Sequence, residues 1–120
     1  MPKVMLVEDD ENMFSLLSMF LEFEGFEVSC WNGNGDIESF LKILQRERPA
    51  LLFLDVHLRK LNGFDLLHQV RNDPGMQDIR ILMASGMELT RRCQEEGADG
   101  FILKPFEPDE LVEVIRSTLG

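Results

Sequence analysis

Short apolar runs alternate with longer stretches of helical periodicity along the whole chain, and this alternation constrains the fold more than any other feature. The runs are mostly apolar on both faces, as strands buried between layers of helices should be. Five strand–helix units with short connections predict an α/β protein, a doubly wound five-stranded parallel sheet with helices on both faces. The predicted strands cover residues 3–7, 26–30, 50–54, 79–84 and 99–103.

Residues typical of helix starts and helix ends mark the limits of the helical stretches between these runs. Asp36 is the predicted amino-terminal cap of the second helix, because a short acidic side chain accepts hydrogen bonds from free backbone N–H groups. The third stretch, 64–72, runs into a turn signal of Asn, Asp, Pro and Gly. The fourth, near 88–96, is short and polar, and Gly97 ends it. The fifth begins near Pro108, so we expect five helices with a shortened fourth.

Composition and charge exclude several classes of protein. The chain has 120 residues, which suit one domain spanning 1–120. Its net charge of -10 argues against direct contact with nucleic acid, because phosphate contacts need Lys and Arg. No apolar run approaches the roughly 20 residues that span a bilayer, so we expect no membrane contact. Cys30 and Cys93 form no Cys-x-x-Cys pair, which argues against a zinc site or a disulfide framework. We therefore expect a cytoplasmic protein.

Charged residues follow three of the predicted strands. Glu8 and Asp9 follow the first run, Asp55 closes the third, and Lys104 closes the fifth. Because ligands of open α/β sheets bind outside the carboxyl ends of the strands, these side chains should converge at one edge. Such a cluster can hold a divalent metal ion and a phosphoryl group.

The chemistry of these residues supports a metal and a phosphoryl group together. Oxygen-only ligands suit Mg²⁺, with Mn²⁺ as the alternative. Asp9, Asp55 and the backbone carbonyl of His57 can supply the protein ligands, and Glu8 can hold a metal-bound water. A carboxylate can itself be phosphorylated, and the ammonium of Lys104 can then bind a phosphoryl oxygen. The Ser85 hydroxyl, at the end of the fourth run, can donate to another such oxygen.

Each of these residues also has a simpler interpretation. Glu8 and Asp9 can belong to the acidic first turn of a helix, where the helix dipole favours carboxylates. Asp55 can be a helix cap, and Lys104 a surface lysine before a turn. Ser85 can be an ordinary turn serine before a glycine. Only the presence of all of them in one chain favours the functional interpretation.

Together these residues resemble the receiver domain of two-component response regulators, and the resemblance runs from Lys3 to about Leu119. One matching segment would be weak support, whereas five in order at appropriate spacing are highly specific. The matching segments are 3–10, 52–56, 62–67, 84–86 and 97–106.

The resemblance implies a flavodoxin-like fold with strand order 2-1-3-4-5. It implies that Asp55 accepts a phosphoryl group from a histidine kinase with Mg²⁺, that Glu8 and Asp9 are the metal-binding acid pair, and that Lys104 is the family's lysine. Ser85 matches the family's hydroxyl switch residue, and Phe101 matches its aromatic switch residue. Phe101 can also be an ordinary core residue that packs in the fifth strand. Their movement would change the region from the fourth strand to the fifth helix.

The resemblance also implies partners and an activity. The partners are a sensor histidine kinase or phosphotransfer protein, and an output domain or effector protein. The domain would be a monomer or weak dimer. It would promote only its own phosphorylation and dephosphorylation, and would not be an enzyme with a separate substrate.

The chain departs from the family pattern at several positions. Glu8 replaces the commoner Asp, and Arg59 stands where the family usually has proline. The stretch from Ser85 to Lys104 is shorter than is typical by roughly one helical turn. His57 and Met87 occupy positions that tune phosphoryl lifetime in the family, but His57 can instead be a solvated loop residue.

Three other functions fit parts of the sequence. A hydrolase of the haloacid dehalogenase type also uses an Asp after an apolar strand, but its second Asp would fall at His57. A dinucleotide- or flavin-binding domain would use Gly33 and Gly35 in a phosphate loop, but Glu38 stands where the third glycine belongs. A receiver module that only relays phosphate or only binds partners remains a third possibility.

Overall fold

A single parallel sheet of five strands forms the centre of the computed structural model, which describes residues 1–120. The spatial order is β2-β1-β3-β4-β5, so the predicted doubly wound sheet and its order are confirmed. Four of the five strands begin one residue later than predicted, because pairing with neighbouring strands defines their ends. The strands are β1 (Lys3–Val7), β2 (Glu27–Trp31), β3 (Leu51–Asp55), β4 (Arg80–Ser85) and β5 (Gly100–Leu103).

One α-helix follows each strand, and a short 3₁₀ turn, Pro74–Met76, precedes β4. The fourth helix has 7 residues and is the shortest of the five, as predicted. None of the helices is long and apolar enough to cross a membrane. The helices are α1 (Glu11–Phe23), α2 (Ile37–Glu47), α3 (Gly63–Arg71), α4 (Thr90–Glu96) and α5 (Pro108–Leu119).

The helix ends follow the predicted signals. The Asp36 carboxylate accepts a hydrogen bond from the Ser39 N–H at 2.9 Å and caps α2. Gly97 ends α4 with a φ of 112°, a left-handed conformation that glycine adopts without steric cost. The cap of α1 is Asp10, whose Oδ1 accepts from the N–H of Asn12 at 2.9 Å. Glu8 and Asp9 therefore precede α1 instead of forming its first turn.

Alternate residues of the central strands face opposite sides of the sheet. Met5 and Val7 of β1 belong to a cluster of 17 buried residues under α2, α3 and α4. Val4 and Leu6 belong to a second cluster of 13 buried residues under α1 and α5. Because both faces are covered, the functional side chains can reach solvent only at the sheet edges and in the loops.

Candidate functional site

The structure brings Asp55 and Lys104 into direct contact at the carboxyl edge of the sheet. The Lys104 ammonium donates to Asp55 Oδ2. The other carboxylate oxygen, Oδ1, accepts the His57 N–H at 2.9 Å. The backbone fixes both partners, since Asp55 is the last residue of β3 and the Lys104 N–H donates to the Ser85 carbonyl at 2.8 Å. The Asp55 side chain is 13% exposed, so the carboxylate is held in a shallow, solvent-accessible position.

The two acids that follow β1 lie beside this pair, and each has a hydrogen-bond partner. Glu8 Oε2 accepts the Asp10 N–H at 3.2 Å. Asp9 Oδ2 accepts the Arg59 N–H at 3.0 Å, and the same oxygen lies 3.8 Å from Arg59 Nε. The loop that follows β3 is therefore tied to the loop that follows β1.

The electrostatics of Glu8 reflect a crowded group of acids. Burial raises the pKa of the Glu8 carboxyl above its ordinary value of 4.5. The negative charges of Asp9 and Asp55 raise this pKa as well, whereas the Asp10 N–H and the Lys104 ammonium lower it. The charges of Asp9 and Asp55 thus disfavour the ionised form of Glu8, and a cation bound near these acids would offset that effect.

The predicted metal ligands are neighbours but are not assembled around one point. No group of three or more His, Cys, Asp or Glu side chains is arranged to hold a metal ion. Asp9 instead faces Arg59, and Asp55 faces Lys104. The donor set is oxygen-only and therefore fits Mg²⁺ or Mn²⁺ in its chemistry. A metal bound at Asp9 Oδ2 or at Asp55 Oδ2 would displace the partner that each of these oxygens now has.

Of the two predicted switch residues, Ser85 lies at the same edge of the sheet, whereas Phe101 lies within β5, opposite Met83 of β4. Ser85 is fully buried at the end of β4, and its Oγ accepts the Met87 N–H at 3.0 Å. That contact leaves the hydroxyl proton available to donate. Phe101 is half-buried on β5 and packs against the larger hydrophobic cluster. The His57 side chain is exposed, as expected for a solvated loop residue.

An apolar groove leads from the surface of α1 to Asp55. It has a volume of about 260 Å³, and Met13, Leu16 and Phe106 line it, with Asp55 and Lys104 among its polar residues. The outer face of α1 is unusually apolar for a surface helix, because Leu16 is 55% exposed. Met19 and Phe23 on the same helix are 68% and 85% exposed.

The sequence did not reveal two of the residues that shape this site. A Cβ on Gly63 would lie 2.2 Å from the Asp55 carbonyl oxygen, so only glycine fits at the start of α3. The Asn62-Gly63 pair in a matching segment was the available signal. Arg59 stood out as a departure from the family pattern, but its contact with Asp9 joins residues separated by 50 positions.

Comparison with known proteins identifies the family. The model of the response regulator receiver domain matches residues 4–116. A DNA-binding response regulator, MtrA of Mycolicibacterium paratuberculosis, is 32% identical over 117 residues, which cover 98% of this chain and 51% of the relative. The transcriptional regulatory protein CpxR homolog of Haemophilus influenzae is 37% identical over 120 residues, covering 99% of this chain and 51% of the relative. The chain thus spans about half the length of the curated relatives it matches.

Solved structures agree with this assignment. The chemotaxis response regulator CheY4 of Vibrio cholerae superimposes with a TM-score of 0.84 at 27% identity, over 98% of both chains. The likeness therefore extends over the whole sheet and its helices, as does the match of the family model. The chain belongs to the response regulator receiver domain family.

Proposed function

We propose that this protein is a phosphorylatable signalling switch in which Asp55 accepts a phosphoryl group. The donor would be the phosphohistidine of a sensor histidine kinase or of a phosphotransfer protein. The observation that carries the proposal is the contact of Asp55 with Lys104 at the carboxyl edge of the sheet. A carboxylate held there beside one ammonium and one buried hydroxyl suits an acyl phosphate.

The transfer would use the groups of this chain in defined roles. One oxygen of the Asp55 carboxylate forms a bond to phosphorus as the P–N bond of the donor breaks. The imidazole nitrogen of the donor keeps the bonding electron pair and takes a proton from solvent. Lys104 then shifts from the carboxylate to a phosphoryl oxygen, and the Ser85 hydroxyl donates to another.

A divalent cation completes this site in our proposal. Asp9, Asp55 and the His57 carbonyl would hold Mg²⁺, or Mn²⁺ in its place, and Glu8 would hold a water of its shell. When bound, the ion would offset the negative charge that the phosphoryl group adds, roughly -1.5 to -2. Burial raises the pKa of Glu8, and the charges of Asp9 and Asp55 add to this effect, which supports a cation among these three carboxylates.

The groove beside Asp55 supports delivery of the phosphoryl group by a protein. Its apolar walls continue onto the exposed face of α1, which carries Leu16, Met19 and Phe23. A helix of the donor packed there would bring its phosphohistidine to Asp55. Burial of these apolar side chains would contribute to the binding of the donor.

The response would pass through β4 and β5. Ser85, drawn to the phosphoryl group, would pull the segment 86–89 inward, and Phe101 would move with it. This shift would change the α4-β5-α5 region and regulate an output domain or effector protein. The names of the relatives, DNA-binding and transcriptional regulators, favour an output outside this chain, which would then not itself contact nucleic acid.

The proposal extends to the whole molecule. Residues 1–120 would act as one receiver domain in the cytoplasm, as a monomer or weak dimer. The chain would promote only its own phosphorylation and dephosphorylation.

Phosphorylation with a small donor tests the proposal. Wild type, Asp55→Asn and Asp65→Asn are each incubated with acetyl phosphate and Mg²⁺, and the phosphorylated species is measured by intact mass. Asp65 is an exposed acid on α3 and serves as the matched control. We expect one phosphoryl group on wild type and on Asp65→Asn, and none on Asp55→Asn. Equal labelling of Asp55→Asn would show that Asp55 is not the acceptor.

Two further assays separate the other functions. A hydrolase would turn over phosphate esters, and a module that only binds partners would show no response to Mg²⁺ with beryllofluoride in its amide spectrum. Lys104→Ala should still bind Mg²⁺ but respond less to beryllofluoride. An unchanged beryllofluoride response in Lys104→Ala would count against the role of the lysine.

A further inference from the structure

The loop after β3, residues 56–62, contacts the Asp9 carboxylate through Arg59. The Arg59 N–H donates to Asp9 Oδ2 at 3.0 Å, and Arg59 Nε lies 3.8 Å from the same oxygen. The Asp9 side chain is only 22% exposed, whereas that of Arg59 is 75% exposed. The carboxylate is therefore the fixed partner, and the arginine reaches it from the solvent side.

Both contacts depend on the residue at position 59. A proline there would have no N–H to donate and no charge to offer. Arginine supplies both, and it directs them at one oxygen of a residue that the proposed function assigns to metal binding. A dication bound to that oxygen would lie within a few ångström of the guanidinium, and like charges at such a distance repel.

We propose that Arg59 is a built-in competitor of the divalent cation for Asp9. In the metal-free protein Arg59 neutralises Asp9 and ties the 56–62 loop to the end of β1. Binding of the cation displaces the guanidinium, so the affinity for Mg²⁺ is lower than the carboxylates alone would give, and the loop is released. This inference rests on the metal site of the proposed function.

The neighbouring cation provides a matched control. The Lys60 ammonium donates to Asn34 Oδ1 at 3.3 Å and forms no ion pair with Asp9. Lys60→Ala removes the same charge from the same loop without touching Asp9. It therefore separates competition at one oxygen from the general effect of removing a positive charge near an acidic site.

Magnesium titrations of metal-free protein, followed by backbone amide shifts, test the proposal. We expect Arg59→Ala to bind Mg²⁺ about threefold more tightly than wild type, a modest factor because exposed ion pairs are weak. Arg59→Pro, which also loses the N–H, should bind at least as tightly as Arg59→Ala. Lys60→Ala should bind like wild type. Equal affinities of wild type and Arg59→Ala, or equal tightening by Arg59→Ala and Lys60→Ala, would overturn the inference.

A second measurement needs no metal. If Asp9 fixes the loop, Asp9→Ala should speed hydrogen exchange of the Arg59 amide, while the amide of Asn34 stays unchanged. Unchanged exchange at Arg59 would overturn the inference. If neither the wild type nor any variant binds Mg²⁺, the metal site of the proposed function is wrong, and the inference about Arg59 is wrong with it. If Mg²⁺ binds with the same affinity in every variant, the metal site stands and only the role of Arg59 fails.

Discussion

Gly63 is the single residue whose size most directly sets the position of Asp55. An added Cβ would lie 2.2 Å from the Asp55 carbonyl oxygen and 2.8 Å from the Val56 Cα, and both obstacles are backbone atoms. We expect Gly63→Ala to lower the free energy of unfolding by about 3 kcal/mol, the upper end for overpacking, because backbone cannot rotate out of the way. Urea unfolding followed by circular dichroism measures the change.

Gly86 is the control for this substitution. A Cβ there would meet nothing within 4 Å. Gly86→Ala should therefore change the free energy of unfolding by no more than about 0.5 kcal/mol. Similar losses for both variants would mean that the close approach of Gly63 to β3 does not limit the packing.

The residues of the site differ in how far the sequence could predict them. Asp55 ends β3 and Lys104 directly follows β5, so their meeting followed from the rule that the ends of parallel strands share an edge. The contact of Arg59 with Asp9 could not be predicted, because it depends on the path of a loop. The same is true of the present orientation of the acids, which face cations of the chain instead of a common metal position.

At the scale of elements, the short helix α4 depends on its neighbour α3. A helix of 7 residues is not stable alone, and α4 has no side-chain cap at its start. His68 Nε2 of α3 lies 2.5 Å from Glu96 Oε2. The Arg92 guanidinium carbon lies 4.3 Å from the centroid of the Phe64 ring. Contacts with α3 therefore hold α4 in the region that would carry the response.

Arg71, at the end of α3, forms three hydrogen bonds that connect α3 to the residues around α4 and β4. Its guanidinium donates to the Gly97 carbonyl at 2.8 Å, to the Ile79 carbonyl at 2.9 Å and to Asp99 Oδ2 at 2.6 Å. We expect Arg71→Ala to lower the free energy of unfolding by about 2–3 kcal/mol, because charged hydrogen bonds are strong and their acceptors would lose a partner. Urea unfolding measures this loss, and amide exchange at 97–99 should become faster.

Arg80 contacts the same carboxylate and serves as the control. It lies 3.7 Å from Asp99 Oδ1, and its side chain is 54% exposed. Arg80→Ala should cost less than about 1 kcal/mol, as exposed ion pairs do. If it costs as much as Arg71→Ala, the charge of Asp99 matters more than the carbonyl contacts of Arg71.

The sequence predicted the elements better than their ends. Helix stops such as Gly97 were predictable because they depend on local backbone conformation. Strand ends depend on pairing with distant segments, and β3 therefore includes Asp55, which the apolar pattern placed just beyond the run. The shortness of α4 was visible in the spacing from Ser85 to Lys104, whereas its attachment to α3 was not.

At the scale of the whole molecule, the sheet lies between two hydrophobic clusters, and its strands contribute side chains to both of them. Leu52 and Leu54 of β3 contribute to the cluster under α2, α3 and α4, and Leu51 and Phe53 to the cluster under α1 and α5. A change on either face must therefore act on the same strands. This arrangement predicts one cooperative unfolding transition, as is usual for chains of this size.

A core substitution on one face, reported by a probe on the other, tests this cooperativity. Trp31 is the only tryptophan, it is 4% exposed, and it belongs to the cluster under α2, α3 and α4. Leu111 of α5 is fully buried in the opposite cluster. We expect Leu111→Ala to lower the free energy of unfolding by about 2–5 kcal/mol, with the urea midpoints from Trp31 fluorescence and circular dichroism shifting together.

Leu16→Ala, which removes a 55% exposed side chain of α1, is the control and should shift neither midpoint appreciably. A fluorescence midpoint that stays at the wild-type value while the circular dichroism midpoint falls would show that the two faces unfold separately.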